Sequence, residues 1–168
     1  LYKSSPQMEL MSIFELNTSL PMVNQTNTHT NYLTPKASIR FNPGDMKDYS
    51  SSDRLIDVDG IFDINRLAID DSFEEGKSLT FGLEYKKTEL NDINNFFEAK
   101  LATVYRDKNE KFIPQTSGIG SKETNIFGSI TNNLSDFVNI SYDFIVDNNF
   151  NTLEYNSLNT SIIYKNLN

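Results

Sequence analysis

Ser78-Leu79-Thr80-Phe81-Gly82-Leu83-Glu84-Tyr85-Lys86 decides how this chain folds. Leu79, Phe81, Leu83 and Tyr85 alternate with Thr80, Gly82, Glu84 and Lys86. A period of two puts successive side chains on opposite sides of a strand, one side apolar and the other polar. The same rhythm recurs downstream. Phe97, Ala99, Leu101, Thr103 and Tyr105 alternate with Glu98, Lys100, Ala102, Val104 and Arg106; Val138, Ile140, Tyr142, Phe144 and Val146 alternate with Asn139, Ser141, Asp143 and Ile145. A weaker copy covers residues 33–41, with Lys36, Ser38 and Arg40 on the polar side. Others cover residues 124–131 and about 9–16, for about seven strands in all. Across residues 153–164 the apolar parity changes, from Leu153 and Tyr155 to Leu158, Ile162 and Tyr164, and a β-bulge near Asn156 accounts for the change.

Composition narrows the chemistry. The 168 residues carry a formal charge of -8 and no Cys, which removes thiol catalysis, thiolate zinc sites and disulfide scaffolds. One His excludes a multi-histidine metal centre, and a pI of 4.6 argues against a nucleic-acid partner. Mean hydropathy is -0.47, and no apolar run approaches the ~18 residues of a membrane-spanning helix. A membrane β-barrel stays open, because its strands are polar at every second residue. Both ends look cut, so residues 1–168 read as part of a single β-barrel domain within something longer.

Strand length separates the all-β classes. Ten residues rising ~3.3 Å each and tilted ~45° span about 23 Å, close to the ~25 Å apolar band of an outer-membrane barrel. Charged residues at 84, 86, 98, 100, 106 and 143 suit a solvated face or a water-filled lumen and would be costly inside a sandwich. Connector lengths also alternate. The gaps at 88–95 and 132–136 read as short periplasmic turns; 42–77 and 107–122 read as external loops, and 148–152 is a short external one. Within the longest, Ile61, Ile64 and Leu67 or Ala68 recur at helical spacing, so residues 60–69 are expected to form a short helix or tight turn.

No constellation makes a convincing catalyst or metal site. Asp57-Val58-Asp59-Gly60 with Asp63 and Asn65 resembles a calcium loop, but position twelve, where an EF-hand needs Glu, is Ala68. His29 lacks a Gly-x-Ser-x-Gly elbow to serve. Glu74-Glu75 reads as a charged loop end beside Gly76 rather than a catalytic carboxylate pair. Gly118-Ile119-Gly120 precedes a strand, not a helix, so it is no phosphate cradle. No cofactor is expected.

Asp59-Gly60-Ile61-Phe62-Asp63-Ile64-Asn65-Arg66-Leu67, then Asp71, Glu74-Glu75-Gly76 and the strand from Ser78, resembles the outer-membrane lipopolysaccharide-assembly proteins, also called organic solvent tolerance proteins. That family carries a loop of the form (Ser/Gly)-(Leu/Ile)-Phe-x-x-(Asn/Asp)-Arg-(Phe/Tyr)-Ser-Gly-x-Asp-Arg-x-Glu-Gly-Gly before such a strand. Leu33-Thr34-Pro35-Lys36-Ala37 is similar to its preceding strand. Gly60, Phe62, Asn65, Arg66, Asp71, Glu74 and Gly76 match the motif. Ala68-Ile69 replaces its Ser-Gly and Ser72 its second Arg, so no role of that Arg carries over.

The resemblance implies an antiparallel transmembrane outer-membrane β-barrel segment, an interior arc of a barrel of about 26 strands, without the periplasmic jelly-roll domain. It implies a lipopolysaccharide translocon in the cell outer membrane that makes and breaks no bond. Its implied partners are lipopolysaccharide, a plug lipoprotein, a periplasmic bridge protein reached through the jelly roll, and membrane lipid. On that reading Leu79, Phe81, Leu83, Phe97, Leu101, Ile140, Tyr142 and Phe144 face lipid. Lys36, Arg40, Glu84, Lys86, Glu98, Lys100, Arg106 and Asp143 face the lumen, where mixed signs avoid trapping a phosphorylated substrate. Periodicity alone leaves open another barrel, a porin or receptor, or a soluble β-sandwich binding module.

Overall fold

The computed structural model describes residues 10–164. Eight strands form one antiparallel sheet: β1 Phe14–Ser19, β2 Met22–Gln25, β3 His29–Asn42, β4 Gly76–Glu89, β5 Phe96–Arg106, β6 Glu123–Ser135, β7 Val138–Val146 and β8 Leu153–Ile162. The order is β1-β3-β4-β5-β6-β7-β8, with β2 also paired to β3, and the sheet does not close on itself. Among the described residues no helix is long and apolar enough to cross a membrane.

β1 and β2 occupy one position in the sheet, so there are seven wall positions. The expected first strand at 9–16 begins outside the described residues, and β1 runs later, to Ser19. Leu20-Pro21 interrupts the edge because proline has no N–H for the ladder. Leu20 N still donates to Pro35 O at 3.0 Å, and the chain resumes as β2 before a tight turn at 26–28. The expected bulge in β8 lies slightly earlier than Asn156: Val146 pairs with Leu153 but Ile145 with Tyr155, so Glu154 is the extra residue. Leu153 and Tyr155 thus point to opposite faces. A second irregularity, where β5 meets β6, is repaired by a side chain, with Thr124 Oγ1 accepting from Val104 N at 3.0 Å and donating to Val104 O at 2.8 Å.

Register makes the two faces explicit. One face carries Ile39, Phe41, Phe81, Leu83, Leu101, Tyr105, Ile130 and Leu158, all largely exposed. They make ring pairs such as Phe81–Tyr105 and Tyr85–Phe97 with centroids 6.2 and 6.3 Å apart. So broad an apolar surface marks contact with lipid or protein. The opposite face runs in rows across the strands. From the short-turn end these are Lys86–Glu98–Thr131–Ser141–Asn159, then Glu84–Lys100–Ser129–Asp143–Ser157, then Lys36–Gly82–Ala102–Phe127–Ile145–Tyr155, and finally Arg40–Ser78–Arg106 beside Glu15.

The hydrophobic core lies on this second face, under the loops. Met46, Ile56, Val58, Ile61, Leu67 and Ile69 from the 43–75 connector meet Ile113 and Ile119 from the 107–122 connector, and both meet Ala102, Val104, Phe127 and Ile145 of the sheet. The two connectors are also hydrogen-bonded to each other, Tyr49 N to Phe112 O at 3.0 Å and Arg54 N to Thr116 Oγ1 at 2.9 Å. They form one cap over the loop end of the sheet. Residues 60–69 contain a single 3-10 turn at Gly60–Phe62; Ile61 and Leu67 are buried while Ile64 is 53% exposed.

Candidate functional site

The centre of the cap is an ion cluster that the loop motif and two strand arginines build together. Gly76 sets it up by opening β4 at φ +83, a left-handed backbone that disfavours a side chain, and a Cβ there would sit 2.6 Å from Glu110 Oε1. Gly76→Ala is therefore expected to cost about 1–3 kcal/mol in urea unfolding of the reconstituted protein. The turn aims Glu74 at the wall. Arg66 Nε donates to Glu74 Oε2 at 2.6 Å and Nη2 to Oε1. The same guanidinium reaches Thr80 Oγ1 and Ser78 Oγ, both at 3.0 Å, on the sheet. Arg106 Nη1 also donates to Glu74 Oε1, and its Nη2 to Glu75 O. Arg40 Nη1 donates to Glu74 Oε2 at 3.2 Å, its Nε to Glu15 Oε2 at 2.8 Å, and its Nη2 to Asp63 O.

None of these five charged side chains is more than 6% exposed. Three cations face two carboxylates, and the backbone carbonyls of Ile61, Asp63 and Glu75 take further donors, leaving Arg106 Nε as the one buried guanidinium donor without a partner among the described residues. Such a cluster is tolerable only when nearly every donor is matched. Burial alone raises the Glu74 pKa. The charge and hydrogen bonds of Arg66, then Arg106 and Arg40, outweigh it and hold this carboxyl well below the usual carboxylate range. The cluster joins β1, β3, β4 and β5 to the cap, so it is a latch.

Other motif residues shape the cap around that latch. Asp57 Oδ1 accepts from Gly60 N at 2.6 Å and from Asp59 N at 3.1 Å, which tightens the turn. Phe62 then reaches down the wall to Gly82, where a Cβ would meet its ring carbons at 2.7 and 2.9 Å. Gly82 is the gap that lets the ring lie on the sheet, and Lys36 Nζ stands 5.7 Å from the ring centroid. Asn65 clamps the next turn through both its amide groups, to Ile69 O at 3.0 Å and from Ile69 N at 3.2 Å, around Ala68 at φ +50. Asp71 sits at the surface with Lys47 Nζ at 3.1 Å and accepts from the Tyr49 hydroxyl. Ser72, at the motif's second Arg, is buried and accepts from Lys47 N at 3.0 Å.

The eight polar-face candidates divide into groups. Arg40 and Arg106 are sealed under the cap rather than exposed to an open channel. Lys36 pairs with Glu84 at the cap's lower edge. Lys86, Glu98 and Lys100 form a chain of pairs at 4.0 and 3.2 Å, and Lys100 also holds Asp59 of the cap at 2.8 Å. The Asp143 side chain makes no hydrogen bond or ion pair with the described residues; it borders a cavity of about 180 Å³ between cap and sheet with Leu55, Val58, Phe127 and Tyr155. The apolar candidates, Leu79, Phe81, Leu83, Phe97, Leu101, Ile140, Tyr142 and Phe144, share the opposite face.

By its neighbours Glu74 reads as a charged loop end beside Gly76, whereas in the structure it is the most enclosed carboxylate of the cluster. Glu15 carries no signal in the sequence, and Ser78, Thr80 and Asp59 read there only as strand or loop positions, not as members of this site. Parity placed Ser78 and Thr80 beside Arg40 and Arg106, which was the available signal; nothing local tied Glu15 to a residue 25 positions away.

The LPS transport system D family matches this chain over residues 3–168. The chain belongs to that family. No curated protein matches it individually. The family serves lipopolysaccharide transport and outer-membrane biogenesis, and its members are transport proteins, not enzymes. The unclosed antiparallel sheet is a segment of the family's β-barrel.

Proposed function

We propose that this segment is an arc of the wall of an outer-membrane lipopolysaccharide translocon. The exposed apolar face meets lipid, and the polar face lines the lumen through which the saccharide head of lipopolysaccharide reaches the outer leaflet. The short turns at 26–28, 90–95 and 136–137 lie on the periplasmic side, and the cap lies on the cell-surface side. A plug lipoprotein and a periplasmic bridge protein, the latter docking on a jelly-roll domain of the full-length protein, complete the machine. The carrying observation is the segregation of the two faces across every strand pair from β3 to β8, in a chain of the LPS transport system D family.

The latch assigns the cap a fixed role. With five buried charges and a core shared by two loops, opening it would expose unpaired arginines and apolar side chains together. The cap is a seal over the loop end of this arc, and the substrate passes beside it. Depleting the full-length protein in its native cell is expected to remove newly made lipopolysaccharide from the cell surface and to accumulate it behind the outer membrane. Unchanged surface lipopolysaccharide would refute the transport reading while leaving the fold intact; solute uptake would then be the next measurement.

A further inference from the structure

The uncapped part of the polar face is chemically divided. On β4 and β5 it presents Glu84, Lys86, Glu98 and Lys100, tied to one another, to Lys36 or to Asp59. On β6, β7 and β8 the two rows nearest the short turns are Asn133–Asn139–Ser161 and Thr131–Ser141–Asn159, with no charge among them. These six side chains are half-buried or exposed. Their internal hydrogen bonds are few and long: Asn139 Nδ2 reaches Asn133 Oδ1 at 3.3 Å, and Asn159 Nδ2 reaches Ser157 Oγ at 3.3 Å. Asn133 also donates to Asn94 O at the turn. Among the described residues the hydroxyls of Thr131, Ser141 and Ser161 have no hydrogen-bond partner.

We propose that this hydroxyl- and amide-lined strip on β6–β8 is the track along which the uncharged sugar chain of the substrate slides, the charged strip on β4–β5 being excluded from that contact. The assignment rests on the transport reading above and locates the path within it. Ser, Thr and Asn offer both donors and acceptors on short side chains, the complement of a sugar hydroxyl that is itself both. None presents a cation that would hold a phosphate, so contacts are numerous but individually weak and exchange readily with water. On β4 and β5 each lysine already has a carboxylate partner, which occupies the groups a sugar would otherwise engage. Above these two rows the strip meets Ser129–Asp143–Ser157, whose one charge is the Asp143 carboxylate, an anion that offers no hold to a phosphate, and it ends at the row of Phe127, Ile145 and Tyr155, where the cap closes over the sheet. A chain rising along β7 and β8 must therefore leave sideways past β8 rather than upward beneath the loops.

Photo-crosslinking in the full-length protein in living cells tests this. A photoreactive phenylalanine analogue replaces Ser141 or Asn159 on the track, and Lys86 or Glu98 on the charged strip. The expected result is an adduct recognised by antibody against the sugar chain at 141 and 159 and none at 86 or 98. Where the bulky probe blocks barrel assembly, read by heat-modifiable migration, Thr131 or Ser161 carries it instead. Adducts at 86 or 98 equal to those on the track would overturn the assignment. So would an absence of adducts at every assembled position in cells whose export depends on this protein, an outcome that leaves the transport reading standing. Export that survives depletion of the protein defeats the transport reading itself, and the track with it.

Discussion

Glu74→Gln is expected to destabilise the reconstituted full-length protein by about 3–5 kcal/mol, the cost of leaving buried charges without their counter-ion. The substitution keeps the side chain's shape, removes its charge and turns one accepting oxygen into an amide donor that faces guanidinium N–H groups. Arg66 and Arg106 both donate to Oε1, and Arg40 and Arg66 both donate to Oε2, so one change unbalances three guanidinium groups. Arg66 retains Thr80, Ser78 and the Ile61 carbonyl, which keeps the loss below that of removing the arginine itself. Equilibrium unfolding in liposomes measures the energy. Trypsin cleavage after Arg66, whose side chain is 1% exposed, measures whether the cap has lifted. Unchanged stability together with an uncut Arg66 would mean that the cluster does not hold the cap down.

The pH dependence follows with a definite sign. The Glu74 carboxyl titrates lower in the folded protein than in the unfolded chain, where glutamate has a pKa near 4.3. Its stabilisation is therefore fully present above about pH 4.3 and is lost only as pH falls through the lower folded value. Resistance of Arg66 to trypsin should be level from pH 5 to pH 8 in the wild-type protein. The Gln variant should be cut across the same range, with no recovery at either end.

Arg in place of Leu83 or Leu101 is expected to cost about 2–4 kcal/mol, the penalty for a cation on the lipid face near the bilayer midplane. These two residues face each other directly across β4 and β5, near the middle of both strands, and are 43% and 47% exposed. On the proposed placement each presents to lipid a surface that an arginine cannot leave without stretching toward the headgroups. Lys100→Arg, one residue along the chain and on the opposite face, keeps the charge and should change stability by less than about 0.5 kcal/mol. Equal tolerance of Arg at 83, 101 and 100 in liposome unfolding would remove the assignment of the two faces.

The wall was legible in the sequence because its code is local. Alternation at 79–86, 97–106 and 138–146 states which residues share a face, and the register joins those faces along β4, β5 and β7 except near strand ends, where it shifts beside Tyr105, Val138 and Val146. The interrupted edge was harder to read. Leu20-Pro21 breaks the pattern within one wall position, so alternation alone does not separate β2 from a connector. Alternation also says nothing about what lies on a face. Arg40 and Arg106 sit at polar positions in their strands, as open-channel residues would, and only the return of the loop buries them. Glu74 shows the same limit from the other side. Its neighbours Glu75 and Gly76 make the stretch look solvated, but Glu75 turns out to Lys108, at 3.0 Å, while Glu74 turns in. The loop motif around Phe62, Asn65 and Arg66 marks this region in the sequence, and the structure supplies the partners: Gly82, Ile69 and Glu74.

Locking the cap in place tests most directly whether it is a fixed seal beside the lipopolysaccharide path. Phe62→Cys with Gly82→Cys puts two thiols where the Phe62 ring of the cap lies on the wall, in a segment with no other cysteine, and a short cleavable crosslinker can join them. With the full-length protein so locked, delivery of newly made lipopolysaccharide to the cell surface should stay within about twofold of the unlocked rate, since no opening step lies on the route. Delivery that stops on locking and resumes when the linker is cleaved would show that the cap moves during transport, and the account of a sealed loop end with the path beside it would be wrong.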